Sequence, residues 1–170
     1  MDEERQLEIA TFAAGSFWDV EALFNHVKGV VSTTAGYTGG TLRDPTYEQV
    51  SSGTTGHVEA VRVIFNPAEI TYDQLLEIFW SININTQALT PPEGPDSGIM
   101  GRPVIFYHSD EQKEKAGSSR QNEMASGTSG DMAEVTAIVP ATAFFPAEEY
   151  HQQFYEKTGN FYSSIPKYWE

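Results

Sequence analysis

Apolar positions along this chain change period several times, and the changes mark out its elements. Leu7 to Ala13 is an apolar, β-prone run that leads into Gly15 and predicts a strand. Next, Ser16-Phe17-Trp18-Asp19 has the helix-opening form of a hydroxyl residue followed three places later by an acid. Val20, Leu23, Phe24 and Val27 then recur at helical spacing, which puts Ser16 at a strand-to-helix junction, at the helix N-terminus. Val30 to Ala35 predicts a second strand, and Gly36-Tyr37-Thr38-Gly39-Gly40 a loop. Val58 to Phe65 is the clearest strand. Its alternation sets Glu59, Val61, Val63 and Phe65 on one face, and Asn66-Pro67 ends it.

Thr71-Tyr72-Asp73-Gln74 carries a capping box and opens a helix running to about Trp80. Asn83 to Gly101 holds three of the nine prolines and predicts a long irregular loop, a kind of segment that often carries function. Val104 to His108 predicts a strand and Asp110 to about Ala125 a helix. Ser126-Gly127-Thr128-Ser129-Gly130 predicts a loop, Val135 to Val139 a strand, and Pro146 to about Lys157 a helix with proline at its start. Interleaved strands and helices give an α/β or α+β class with a mixed sheet flanked by helices. At 170 residues, with no repeat, the expectation is a single domain spanning 1–170.

Composition narrows the function. Hydrophobic residues at 39% and aromatics at 12% are those of a globular chain. Ten basic against 24 acidic residues leave a net charge of −14, which disfavours nucleic acid and anionic membrane surfaces as partners. No apolar run approaches membrane-spanning length, and the acidic start Met1-Asp2-Glu3-Glu4-Arg5 has no signal-like stretch, so the expected location is cytoplasmic. The absence of cysteine removes disulfides, thiolate metal sites and thiol nucleophiles from the chain as written. His57 and Glu59 lie two apart on a strand, but no third ligand has sensible spacing, so no metal is expected. His151 with Glu148 reads as a solvated helix face.

Gly15-Ser16-Phe17-Trp18 is where a resemblance begins. The match continues through Gly29 to Gly40, Pro45-Thr46-Tyr47-Glu48-Gln49-Val50, Thr55-Gly56-His57-Val58-Glu59-Ala60-Val61, Tyr72 to Leu76, Phe79-Trp80 and Pro146-Ala147-Glu148-Glu149-Tyr150-His151-Gln152. Across roughly residues 8 to 155 the chain resembles the peptide methionine sulfoxide reductase A family, whose strand-to-helix junction reads Gly-Cys-Phe-Trp. The resemblance implies that family's single-domain roll. It also implies reduction of methionine-S-sulfoxide, free or in peptides, by a nucleophile at position 16. Phe17 and Trp18 would wall the substrate methyl group. Glu59 would protonate the sulfoxide oxygen with help from the Tyr47 hydroxyl, and Asp96 would lie near the substrate. No bound cofactor is implied, and an external thiol reductant such as thioredoxin would close the cycle.

Each of these residues also has an ordinary reading. Ser16 fits a helix N-cap, Phe17 and Trp18 fit core rings, Glu59 fits the solvent face of a half-buried strand, and Tyr47 fits a turn residue packed on the sheet. Only the length of the match sets these aside. The chain also departs from the family. Ser16 stands at the cysteine position, and a serine oxygen cannot pass through a sulfenic state. Gly98-Ile99-Met100-Gly101-Arg102 lacks the family's tyrosine at position 101. Asn83-Ile84-Asn85 replaces its His-Asp-Pro, and the tail holds no resolving cysteine. Two origins for Ser16 stay open: replacement of a cysteine or selenocysteine, or natural divergence. The second would leave a module that binds a methyl sulfoxide or an altered ligand without redox chemistry. A serine hydrolase with His57 and Asp96 is disfavoured, because Ala14-Gly15-Ser16-Phe17-Trp18 is not a Gly-x-Ser-x-Gly elbow.

Overall fold

The computed structural model describes residues 6–15, 17–82, 103–126, 130–154 and 157. In chain order the elements are β1 (Glu8–Ala13), α1 (Phe17–Asn25), β2 (Val30–Thr38), α2 (Tyr47–Ser51), β3 (Val58–Phe65) and α3 (Tyr72–Trp80). They continue with β4 (Val104–Tyr107), α4 (Asp110–Ser126), α5 (Gly130–Val135), β5 (Ala137–Pro140) and β6 (Phe144–Pro146), and a 3₁₀ turn follows at Glu149–His151. The strands form one six-stranded sheet in the order β5-β4-β1-β3-β2-β6. Only the β4–β5 pair is parallel. The sheet is therefore mixed and the class α+β.

Strand alternation gives the sheet two faces. Ala10 and Phe12 of β1, Val61, Val63 and Phe65 of β3, and Ala35 and Tyr37 of β2 are buried in the cluster that also holds α1 and α3. At its centre the Phe12 ring stacks on Phe24 at 5.1 Å and on Phe79 at 5.3 Å. The opposite face carries Ala13, Val58, Ala60, Val104 and Phe106, covered in part by Ala141 and Phe144. Gly36 allows that cover, because a Cβ there would meet the Phe144 ring at 2.5 Å. The box predicted at Thr71 forms: its hydroxyl accepts from Gln74 N–H, and the Gln74 side chain accepts from Thr71 N–H. Thr46 and Gln49 build the same device at α2, which the sequence reading did not separate out.

Several boundaries differ from expectation. Gly36, Tyr37 and Thr38 are not loop but the last residues of β2, paired with Ala60, Glu59 and Val58 on one side and with β6 on the other. Hydrogen bonds along both edges override the glycine-rich local signal. Ser126 closes α4 and Gly130 opens α5, and Val135 ends that helix rather than starting a strand. Pro146 does not start a helix. It is the last residue of β6 opposite Gly36, and Ala147 N–H donates to the Ala35 carbonyl at 2.8 Å. The following segment is held by side chains instead. Gln152 bonds Ala35 N–H and C=O, and Gln153 bonds the buried Glu21 carboxylate through its backbone and side-chain amides at 2.8 and 2.7 Å. The predicted loop from Asn83 to Gly101 lies outside the described residues.

Candidate active site

Gly15 has φ +79°, a left-handed conformation that glycine reaches without a Cβ clash, and it turns the chain from β1 into α1. Ser16 lies outside the described residues. Its neighbour Phe17 opens α1, and the amide of the Ser16–Phe17 bond donates to Glu59 Oε1 at 3.1 Å. Glu59 sits on β3, where the alternation that buries Val61, Val63 and Phe65 buries it as well, to 7% exposure. The solvent-face reading of this residue is thus set aside. Burial pushes its carboxyl pKa up, and the Phe17 hydrogen bond only partly opposes the rise.

Around Phe17 the structure gathers a ring of aromatic groups. The buried Phe17 ring lies 5.7 Å from Tyr37, 6.4 Å from Tyr47 and 5.1 Å from His151. Tyr47 heads α2 and faces His151 at 4.6 Å. The Trp18 indole N–H donates to His151 Nδ1 at 3.0 Å, and its ring stacks on Phe154 at 3.6 Å. Phe17, Trp18 and Tyr47 are therefore brought together around one buried histidine, and Glu59 adjoins them through the Phe17 amide. Asp96, Gly101 and Asn83–Asn85 lie outside the described residues.

Three residues of this cluster carry no site role in the sequence analysis. Tyr37 is fully buried opposite Glu59 in the β2–β3 register, and its hydroxyl donates to Glu148 Oε1 at 2.7 Å. Burial, then the hydrogen bond and charge of Glu148, hold the Tyr37 hydroxyl far above the ordinary tyrosine range, so it stays protonated. Glu148 Oε2 accepts from the Tyr47 N–H at 3.0 Å, which fixes the start of α2. Burial alone would raise the Glu148 carboxyl, but these donors outweigh it and hold it below the usual value. His151, expected on a solvated face, is 1% exposed. The 3₁₀ turn that takes the place of the first part of the predicted helix aims it inward under Trp18 and Tyr47, and among the described residues helix is found there only at Phe154 and Lys157. The signal was present in Glu148-Glu149-Tyr150-His151, but a helical reading turned it outward.

His57 spends its ring elsewhere. Nδ1 accepts from Gly40 N–H at 3.0 Å and Nε2 pairs with the Leu42 carbonyl at 2.7 Å, so it clasps the loop after β2. Both nitrogens are occupied by backbone, and neither is available to a metal or to a serine nucleophile. Among the described residues no three His, Asp or Glu side chains are grouped as metal ligands. No helix among them is long and apolar enough to cross a membrane.

The His151 environment has a consequence for acid stability. Burial lowers its pKa, and the Glu148 charge only partly restores it. Its folded pKa lies below its unfolded value of about 6.5, so the stability it contributes is complete above that pH. That stability is lost as pH falls through the folded value, because protonation at Nδ1 breaks the Trp18 bond. The urea midpoint is expected to be lower at pH 5 than at pH 7.5, and the fall should shrink in His151→Gln. His108 has the same sign, lowered by burial and then by the Arg62 charge, so part of the acid loss should persist. An undiminished fall in the variant would remove His151 from this account.

Comparison with known proteins bears on the family and the fold. The sequence profile of the family described as peptide methionine sulfoxide reductase matches residues 8–168. The peptide methionine sulfoxide reductase MsrA of Geobacter sulfurreducens is 52% identical over 159 residues, covering 94% of this chain and 96% of that protein. The MsrA of Methanosarcina mazei is 50% identical over 164 residues, covering 95% and 76%. Among solved structures, Mxr1 from Saccharomyces cerevisiae in reduced form superposes with a TM-score of 0.78 at 27% identity, covering 95% of this chain and 91% of that one. The methionine sulfoxide reductase A of Corynebacterium diphtheriae gives 0.75 at 27% identity, covering 96% and 81%. With a profile match over nearly the whole sequence, relatives at this identity and the same fold, the chain belongs to the peptide methionine sulfoxide reductase family.

Proposed function

We propose that this protein carries the site of a peptide methionine-S-sulfoxide reductase, with Ser16 at the nucleophile position blocking the redox cycle. The observation that carries the reading is the buried Glu59 carboxyl, hydrogen-bonded to the amide that follows position 16. A carboxyl raised by burial holds its proton to higher pH than a free carboxyl does and can deliver it to a developing sulfoxide oxygen. Tyr47 assists as a second hydroxyl donor, and Phe17 and Trp18 present the apolar wall for the S-methyl group. Tyr37 and Glu148 position α2, and with it Tyr47, through the bond to the Tyr47 amide. Asp96 enters the substrate site on the sequence resemblance alone.

With cysteine at position 16, a thiolate attacks the sulfoxide sulfur while Glu59 protonates the oxygen. Transfer of that oxygen yields methionine and a cysteine sulfenic acid. Two external thiol equivalents then return the cysteine, release water and leave a disulfide. Thioredoxin is the protein thiol proposed for that step. A cytoplasmic location suits it, since cytosolic thiol pools are reducing. On serine the same oxygen transfer would require an O–O bond, so the chain as written should bind a methyl sulfoxide without turning it over.

The test is Ser16→Cys. The parent is expected to show no dithiothreitol-dependent reduction of N-acetyl-methionine sulfoxide. The variant should reduce the S epimer and show a thiol pKa below about 8.5, lowered by the helix N-terminus. Asp19, in the first turn of α1, works against that shift. Turnover by the cysteine-free parent would overturn the mechanism. A variant with sulfoxide binding but no turnover would instead favour a non-redox binding module, a reading supported by Ser16 together with the departures at Gly101 and Asn83–Asn85.

A further inference from the structure

The face of the sheet turned away from Glu59 holds a cavity. Glu59 and Arg62 are three apart on β3, so alternation sends them to opposite faces. Arg62 pairs across the sheet with Thr11, and Thr11 pairs with Phe106, so the three form one row over β3, β1 and β4. That row lines a cavity of about 210 Å³, closed further by Thr38, His108, Thr142 and Phe144. None of these residues takes part in the cluster around His151.

Among the described residues no carboxylate pairs with Arg62, in a chain with 24 acids and 10 bases. Its Nε is buried without a hydrogen-bond partner. Its guanidinium instead lies 4.7 Å over the Phe144 ring. A buried guanidinium donor left unpaired is costly, and its planar fork matches a carboxylate or phosphate. The neighbouring groups suit the same guest. Thr11 and Thr38 are buried hydroxyls, with Thr11 Oγ1 2.9 Å from His108 Nε2, and Phe106 and Ile9 supply an apolar wall. Burial and the Arg62 charge both lower the His108 pKa, so Arg62 is the permanent charge of the lining.

We propose that this cavity binds a small organic anion, its oxyanion on Arg62 and its short apolar body against Phe106 and Phe144. Such a site, on the far side of the sheet, is independent of position 16 and of the reductase reading.

Butyrate and inorganic phosphate are to be titrated into the full chain at constant ionic strength, following the His108 ring protons by NMR. Butyrate is expected to shift them saturably, with apparent affinity at least tenfold weaker in Arg62→Gln. Phosphate should bind more weakly than butyrate, since it lacks an apolar body, and tighter phosphate binding would overturn that part of the proposal. Thr142 sits exposed at the rim, so Thr142→Glu offers Arg62 an internal carboxylate without disturbing the core. It is expected to abolish the butyrate shift even if Arg62→Gln fails to fold. Absence of saturation in the parent, or unchanged affinity in Thr142→Glu, would overturn the site. Neither result depends on sulfoxide turnover.

Discussion

In a Ser16→Cys background, Glu59→Gln is expected to lower kcat for methionine sulfoxide by about 10²–10⁴-fold, the range typical of a lost general acid. Glutamine keeps the volume and leaves a carbonyl to accept the Phe17 N–H that now reaches Glu59 Oε1. The helix start should therefore stay in place and KM should move little. What disappears is the proton. Because burial raises the Glu59 pKa, the cysteine variant should lose rate as pH rises through that value. The double variant should lack this descending limb. Stopped-time assays of N-acetyl-methionine sulfoxide reduction across pH would measure both. A fall of less than about fivefold, or an unchanged pH profile, would leave Glu59 only a positioning role for the Phe17 amide.

Phe12→Ala is expected to cost about 3–5 kcal/mol, the usual loss for an aromatic side chain deleted from a packed core. Phe12 has no exposed surface and contacts rings from two helices, Phe24 of α1 and Phe79 and Tyr72 of α3. Its removal opens a void between the sheet and both helices, and neither can close on it without leaving the other. For a chain of this size the melting temperature should fall by roughly 6–20 °C. Thermal denaturation by circular dichroism is the measurement. A shift under about 3 °C would mean that α1 or α3 repacks against the sheet far more freely than this aromatic centre implies. The effect bears on function, since α1 carries Phe17 and Trp18.

Much of this architecture was legible in the chain because the physical cause was local. β3 was read with its observed ends, since β-branched residues alternate there and Asn66-Pro67 stops them. The start of α3 was read from Thr71 and Gln74, two side chains that cap within one turn. Alternation grouped Glu59 with Val61, Val63 and Phe65, although the residue taken by itself reads as solvent-facing. The chemistry assigned to it came from the length of the family match rather than from any property of a glutamate on a strand.

The sequence by itself determined the class, the lack of any thiol and the junction at position 16, because composition and short-range periodicity depend on neighbours in the chain. Only the tertiary structure decided that Gly36-Tyr37-Thr38 is strand and that the residues directly after Pro146 form a 3₁₀ turn at Glu149–His151, with α-helix, among the described residues, only at Phe154 and Lys157. Those choices rest on hydrogen bonds between residues more than 100 positions apart, such as Tyr37 with Glu148 and Ala35 with Gln152. They bring Tyr37, Glu148 and His151 into the site. The same long-range pairing sets Arg62 beside Thr11 and Phe106 on the far face, in a cavity built from strands distant in sequence. Local propensity is worth tenths of a kcal/mol per residue, of order 0–1. A buried polar group must find its partner or cost about 1–3 kcal/mol, so where the two conflict the distant partner decides.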